Sequence, residues 1–229
     1  MSRRDQVARD LGLGPMWRLR TAPAAETPAP LPSEQDAGRT ENIGRMDWST
    51  LLGEIGDCQA CSLCRARKQA VPGVGDASAE WLFVGEGPGA EEDERGEPFV
   101  GQAGKLLDAM LAAIDLRRGD NVYIANAVKC RPPNNRTPEP DETAACWPFL
   151  KRQIELIQPK VIVALGRPAA QTLLQSEVKI SSARGRLFDY QGIPVVVTYH
   201  PAYLLRNLPD KAKAWEDLCF MRRVMGDRR

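Results

Sequence analysis

Trp81-Leu82-Phe83-Val84-Gly85-Glu86-Gly87-Pro88-Gly89 is the stretch that decides the fold. Four apolar residues with no polar alternation, closed by glycine, predict a strand buried on both faces, because a half-exposed strand would alternate. The same pattern returns three times. Val122-Tyr123-Ile124-Ala125 ends at Asn126, Val161 to Leu165 is closed by Gly166, and Val195-Val196-Val197 runs into Thr198-Tyr199-His200-Pro201. Helical spacing fills the intervals. Ala103 to Leu116 sets Leu106, Leu107, Met110, Leu111 and Ile114 on one face. Pro140 to Ile157 opens on proline, which suits a first helical turn, and keeps Leu150, Ile154 and Ile157 in register. Pro168 to Leu174 is a shorter helix, and a last one around Lys211 to Val224 is expected to carry Trp215, Leu218 and Met221 inward. Buried strands alternating with helices predict an α/β protein, a three-layer α/β/α sandwich with a central, mainly parallel four-stranded sheet. In such folds sites form at the carboxyl ends of strands. The loops after Val84, Ala125 and Val197 all fall there, and they are the richest in the chain.

Working outward, 229 residues with 43% apolar content suffice for one sizeable core. We assign residues 1–45 to an N-terminal extension and 46–229 to the folded domain. Thr21 to Asn42, rich in Ala, Pro, Thr and acids, reads as a disordered linker. The domain should begin near Trp48, where Leu51, Leu52 and Ile55 start a helix. A net charge of +1 leaves partners open, since a basic face depends on local clustering. With no apolar run of about 18 residues, no membrane span is expected. Arg3-Arg4 lacks a following apolar region, so an export signal is not expected either. The six cysteines then read as metal ligands and spare thiols of a cytoplasmic protein rather than as disulfides.

Cys58-x2-Cys61 can hold a metal from one turn, and Cys61-x2-Cys64 would serve equally by spacing. Cys130 and Cys146 supply the other half. A sulfur set of this kind suits zinc or an iron–sulfur cluster. Cys219, alone in the last helix, reads as core. The glycine loop does not fit a dinucleotide fingerprint: Pro88 removes a backbone donor and Glu86 would repel a phosphate. Its glycines instead allow a flat ring to approach the backbone. In the acidic run Glu91-Glu92-Asp93-Glu94, one acid is expected to point inward.

Three segments together carry a resemblance. Gly85 to Asp93 with Gly96 to Gly104, then Asn126 to Arg136, then His200 to Asn207, resemble in order the motifs of the family 4 uracil-DNA glycosylases. The likeness runs from about Cys58 to Leu218. It implies a 4Fe-4S cluster on Cys58, Cys61, Cys130 and Cys146, with Cys64 surplus. It also implies uracil-containing DNA as substrate, with Phe99 stacking on the base and Asn126 reading its edge. Glu86 and Gly87 would line the ring through the loop's backbone. His200, the lone histidine, would stabilise the departing anion, and Glu92 and Asn135 would serve the sugar and the water. Leu204, Leu205 and Arg206 offer a wedge beside a phosphate-binding cation, because opening the stack needs an apolar side chain in the gap. Lys129, Arg131, Arg136, Arg184, Arg186 and Arg206 could together make a basic face.

The chain is expected to act as a monomer, with a repair or replication partner met through the N-terminal segment around Trp17. No lysine sits in a nucleophile motif, so strand cleavage is not expected. Three other readings compete: a glycosylase for other deaminated bases, a non-catalytic iron–sulfur module that binds nucleic acid, and a nucleotide-binding oxidoreductase. The intact set of Phe99, Asn126 and His200 opposes the second. The missing fingerprint opposes the third.

Overall fold

The computed structural model describes residues 6–7, 10–12 and 34–227. Close packing divides the chain into two units, Met1–Ala37 and Gly38–Arg229, and the sheet lies in the second. Trp17 and the paired arginines near the start fall outside the described residues.

Four strands read from the sequence form the centre: β2 (Trp81–Gly85), β3 (Val122–Asn126), β4 (Val161–Leu165) and β6 (Ile193–Thr198). They pair in parallel in the order β3-β2-β4-β6. Two antiparallel edge strands, β1 (Val74–Gly75) beside β3 and β5 (Leu187–Tyr190) beside β6, complete a six-stranded sheet. Sequence reading missed both. β1 is two residues long, and β5 alternates in exposure rather than running apolar. The signal for β5 was the two-residue link Gln191-Gly192, where both residues have positive φ (52° and 86°), as a tight hairpin turn demands.

Alternation along the parallel strands sends their side chains to two separate cores. Trp81, Phe83, Ile124, Val163, Leu165 and Val196 face one way. Leu82, Val84, Tyr123, Ile162, Ala164 and Val197 face the other. The first face is covered by helices that include α4 (Gln102–Ala112) and α9 (Asp210–Gly226). The second is covered by α5 (Pro140–Ile157), α6 (Arg167–Leu174) and the short α7 (Ile180–Ala183). The three-layer sandwich is therefore as the apolar runs imply. On α9 one expectation fails: Leu218 and Met221 are buried, but Trp215 is 49% exposed. The helix turns Ala214, Asp217 and Leu218 to the sheet, which leaves residue 215 on the solvent side.

A third, smaller core lies off the sheet. Ile43, Leu51, Ile55, Leu63, Val128 and Phe149 pack there around Cys130 and Cys146. They come from α1 (Glu34–Ile43), α2 (Trp48–Asp57), the 3-10 turn Ser62–Arg65 and α5, with Val128 and Cys130 from the segment that follows β3. Here the linker reading needs correcting. From Glu34 the chain is helical, not a linker, because Ile43 has an apolar site to fill and Arg39 donates to the Ala145 carbonyl at 2.9 Å. Asp47 caps α2 by accepting from the Thr50 N–H at 2.8 Å. Among the described residues no helix is long and apolar enough to cross a membrane.

Candidate active site and cysteine centre

At the carboxyl ends of β2, β3 and β6 opens a cleft of about 920 Å³. It is lined by Glu86, Gly87, Glu92, Phe99, Asn126, Asn135, His200 and Arg206, so residues from all three motifs share one cavity. Asn126 ends β3 and is 2% exposed, and its Oδ1 has no hydrogen-bond partner in the structure. A buried amide oxygen left unpaired costs on the order of 1–3 kcal/mol, and such an orphan marks a place where a donor is to arrive.

The pocket wall is built from tight backbone approaches. A Cβ on Gly85 would lie 2.4 Å from Asn126 Oδ1 and 2.6 Å from the Phe99 ring, so only glycine lets these groups converge. Phe99 itself has φ of +56°, a left-handed conformation that is strained for an aromatic residue. Two supports hold it. Arg118 donates to the Pro98 and Phe99 carbonyls at 2.7 and 2.8 Å. The absence of a side chain at Gly104 admits the Phe99 carbonyl, which a Cβ would meet at 1.8 Å. Sequence reading did not find Arg118, which lies 19 residues from the carbonyl it grips.

Glu92 sits in α3 (Ala90–Arg95), the helix that closes the glycine loop. Its carboxylate accepts from the backbone N–H groups of Gly89 (3.0 Å), Val100 (3.0 Å) and Gly101 (3.3 Å). It is therefore a fixed acceptor that joins the two halves of the loop around Phe99. The acid that points fully inward is its neighbour Asp93, which accepts from the Lys68 N–H at 2.9 Å. Burial pushes the pKa of Glu86 up, against a hydrogen bond to Thr137 and the charge of Arg167.

His200 caps α8 (Pro201–Arg206): the Ala202 N–H donates to its Nδ1 at 3.1 Å. Nδ1 must therefore be the unprotonated nitrogen, which leaves the hydrogen on Nε2. Burial pushes the imidazole pKa down to about 4, and Arg206 adds to this against the opposing pull of Glu92. The ring is thus neutral at physiological pH, and its centroid lies 5.4 Å from that of Phe99. Asn135, at +54° in φ, stands exposed at the mouth, where its Oδ1 accepts from Arg131 at 2.8 Å.

The structure separates the two leucines of α8. Leu204 is 1% exposed and belongs to the sheet core, so it is not available to DNA. Leu205 is 40% exposed, and Leu208, which sequence reading passed over, is 60% exposed. The basic face is also smaller than expected. Lys129 is fully buried. Arg184 pairs with buried Asp217 at 2.8 Å and lies over Tyr199, whose ring stacks on Tyr203. Arg136 is held by Glu142, whose carboxylate it pulls down to about 2. Arg136, Arg206 and Arg167 all line the cleft, and Arg167, the first residue of α6, is the cation the sequence did not reveal.

Away from the cleft, Cys58, Cys61, Cys64, Cys130 and Cys146 line one small closed cavity. Donors surround the sulfurs. Arg67 reaches Cys130 Sγ at 2.8 Å, Arg39 reaches Cys58 Sγ at 3.6 Å, and the Lys129 N–H reaches Cys146 Sγ at 3.2 Å. Cys64 lies among the other four, so the cavity itself does not single out a set of ligands, and burial pushes the thiols of Cys61, Cys130 and Cys146 up. Sulfurs ringed by cations and N–H groups fit a thiolate-bound metal centre. Among the described residues no three His, Cys, Asp or Glu side chains are gathered closely enough for a single ion. Cys219 is half-buried in α9, away from this cavity.

The sandwich, with a cleft at its strand ends, defines a class. Residues 72–219 match the Uracil DNA glycosylase superfamily. Type-4 uracil-DNA glycosylases are similar over most of their length. That of Thermotoga maritima is 53% identical over 152 residues, covering 66% of this chain and 79% of the relative. That of Archaeoglobus fulgidus is 48% identical over 163 residues, 68% of this chain and 81% of the relative. That of Pyrobaculum aerophilum is 43% identical over 182 residues, 76% and 92% respectively. The chain belongs to the type-4 uracil-DNA glycosylases.

Proposed function

We infer that this protein is a monofunctional DNA repair glycosylase. It hydrolyses the N-glycosidic bond of deoxyuridine in single- and double-stranded DNA, releases uracil and leaves an abasic site. The observation that carries the reading is the orphaned Oδ1 of Asn126 between Gly85 and Phe99. Uracil offers N3–H to an acceptor and O4 to a donor, and one carboxamide supplies both. Cytosine presents the opposite pair on that edge and would leave the amide mismatched.

The target base is hidden in the stack, so the nucleotide must leave it to reach this cleft. Leu205, which is exposed, fills the gap, and Arg206 meets a phosphate. Phe99 stacks on the uracil ring, while Glu86 and Gly87 line it through the backbone. As the C–N bond breaks, its electron pair leaves with uracil, and neutral His200 donates Nε2–H toward O2, where that charge collects. The fixed carboxylate of Glu92 offsets the positive charge that develops on the sugar. Asn135 orients the water whose oxygen adds to the anomeric carbon, and the water's proton goes to the base.

Cys58, Cys61, Cys130 and Cys146 would hold a 4Fe-4S cluster, with Cys64 outside the ligand set. When bound, the group cross-links the first cysteine segment to the strand end that bears Asn126 and to α5. We further take the protein to be a cytoplasmic monomer that meets repair partners through its N-terminal segment.

Anaerobically purified protein incubated with single-stranded and duplex oligonucleotides carrying one uracil tests the reading. Strand breaks that appear only after alkali are expected. Intact strands after alkali, from protein with its iron in place, would overturn it.

A further inference from the structure

Between the cysteine centre and the cleft lies a side chain that neither site accounts for. Lys129 is 1% exposed, one residue from Cys130 and three from Asn126. Its ammonium donates to the Asn126 carbonyl at 2.8 Å and to Gln153 Oε1 at 2.6 Å. Gln153 is itself fully buried and donates to the Pro72 carbonyl at 2.8 Å. At the other end of the residue, the Lys129 N–H meets Cys146 Sγ at 3.2 Å.

Both oxygens that receive the ammonium are neutral. A buried cation with no opposing charge is costly enough that natural proteins pair it. The groups beside it that can become anions are sulfurs: Cys130 is the next residue, and Cys146 Sγ accepts the Lys129 main-chain N–H. An iron–sulfur core held by four thiolates would carry net negative charge and would supply the missing counter-charge. Arg67 donates to Cys130 Sγ and Arg39 to Cys58 Sγ.

The rest of the segment ties this charge to the pocket. Ala127 and Val128 donate to the Gly85 and Glu86 carbonyls at 2.9 and 3.1 Å, so residues 126–129 are stitched to the glycine loop. Anything that moves the Lys129 ammonium moves the main chain of Asn126 and the wall against which uracil lies.

We propose that Lys129 is a positioning residue through which the cysteine centre holds the uracil-reading edge in place: the anionic centre offsets its buried charge, and its ammonium fixes the Asn126 backbone. This rests on the glycosylase reading above and adds to it a route from cluster to pocket. Loss of the cluster would then loosen the base-reading edge before it affects DNA binding, whose affinity comes mainly from phosphate contacts at the surface.

Two experiments on the full chain test it. In the first, Lys129→Met, nearly the same in shape but uncharged, is compared with wild type. The expected result is a kcat lowered about 10- to 100-fold, the range for groups that orient a metal site's ligands. Affinity for abasic-site DNA should change less than about threefold, because the phosphate-facing cations are untouched. Wild-type kcat in the variant would overturn the proposal. An equal loss of kcat and abasic-site affinity would also overturn it, since that signals general misfolding.

In the second, hydrogen exchange of wild-type protein is followed before and after the cluster is bleached with ferricyanide. This arm decides the matter if the variant does not fold. Amides of residues 126–129 should lose protection while those of β4 keep it. Unchanged protection at 126–129 after bleaching would overturn the coupling. If wild type releases no uracil, the functional reading falls, and the exchange result still decides the role of Lys129.

Discussion

The cleft and the cysteine centre are built on opposite principles. In the cleft, polar groups are left waiting: Asn126 Oδ1 has no partner, His200 keeps an N–H free, and Phe99 is held at a φ of +56° by Arg118. Around the cysteines, three of the sulfurs have a donor, and apolar side chains close the surroundings. Under the proposed reading, the unmet hydrogen-bonding capacity of the first serves a ligand that comes and goes, and the second holds a group that stays. The two regions are joined by the short segment 126–130.

The sharpest way to break the contrast is to remove a sulfur. Cys130→Ser should lose the visible absorption of the centre and most of its iron. It should also destabilise the domain by about 4 kcal/mol or more, the scale for loss of a structural metal, and lower the melting midpoint by about 10 °C. Retention of both absorption and melting midpoint would show that the cysteine region is ordinary core.

The leucines of α8 offer a smaller effect that divides stability from function. Leu204→Ala should cost about 2–5 kcal/mol in denaturant unfolding, as for other fully buried leucines. Leu205→Ala should stay within about 0.5 kcal/mol of wild type, yet slow excision from duplex more than from single-stranded DNA. Equal stability losses in the two variants would contradict the burial difference.

Smallest is the expected response to pH. Because His200 titrates near 4 in the folded protein, single-turnover excision should be flat from about pH 6 to 8 and fall only as pH approaches 4. Its depressed pKa stabilises the fold fully above the unfolded value near 6.5, and that contribution is lost as pH falls from there to about 4. A midpoint near 6.5 in the rate profile would mean that the imidazole is solvated.

Much of this was legible before any coordinates. The four parallel strands announced themselves because burial on both faces removes alternation, leaving runs such as Val161 to Leu165. The convergence of Phe99, Asn126 and His200 was what the family resemblance implied, with the strand-end loops agreeing. What stayed hidden depends on partners distant in sequence or on side-chain direction. Helical spacing could not say which of Leu204 and Leu205 faces the sheet in a six-residue helix. Nothing near Arg118 signals that it clamps Phe99. Lys129 looks like one more surface cation until Gln153, 24 residues away, is seen to receive it. Glu92 showed its position but not its three backbone donors, which come from loop segments on both sides. Trp215 misled because an aromatic residue in a late helix is ordinarily core.

The claim at the centre of this account is that the cleft's unpaired amide awaits uracil. Single-turnover release of uracil by Asn126→Ala, measured beside wild type with the visible spectrum of each recorded, tests it most directly. The rate should fall by about 100- to 1,000-fold, the effect of removing one preorganised hydrogen-bonding group, with the spectrum unchanged. A variant that excises uracil at the wild-type rate would contradict it.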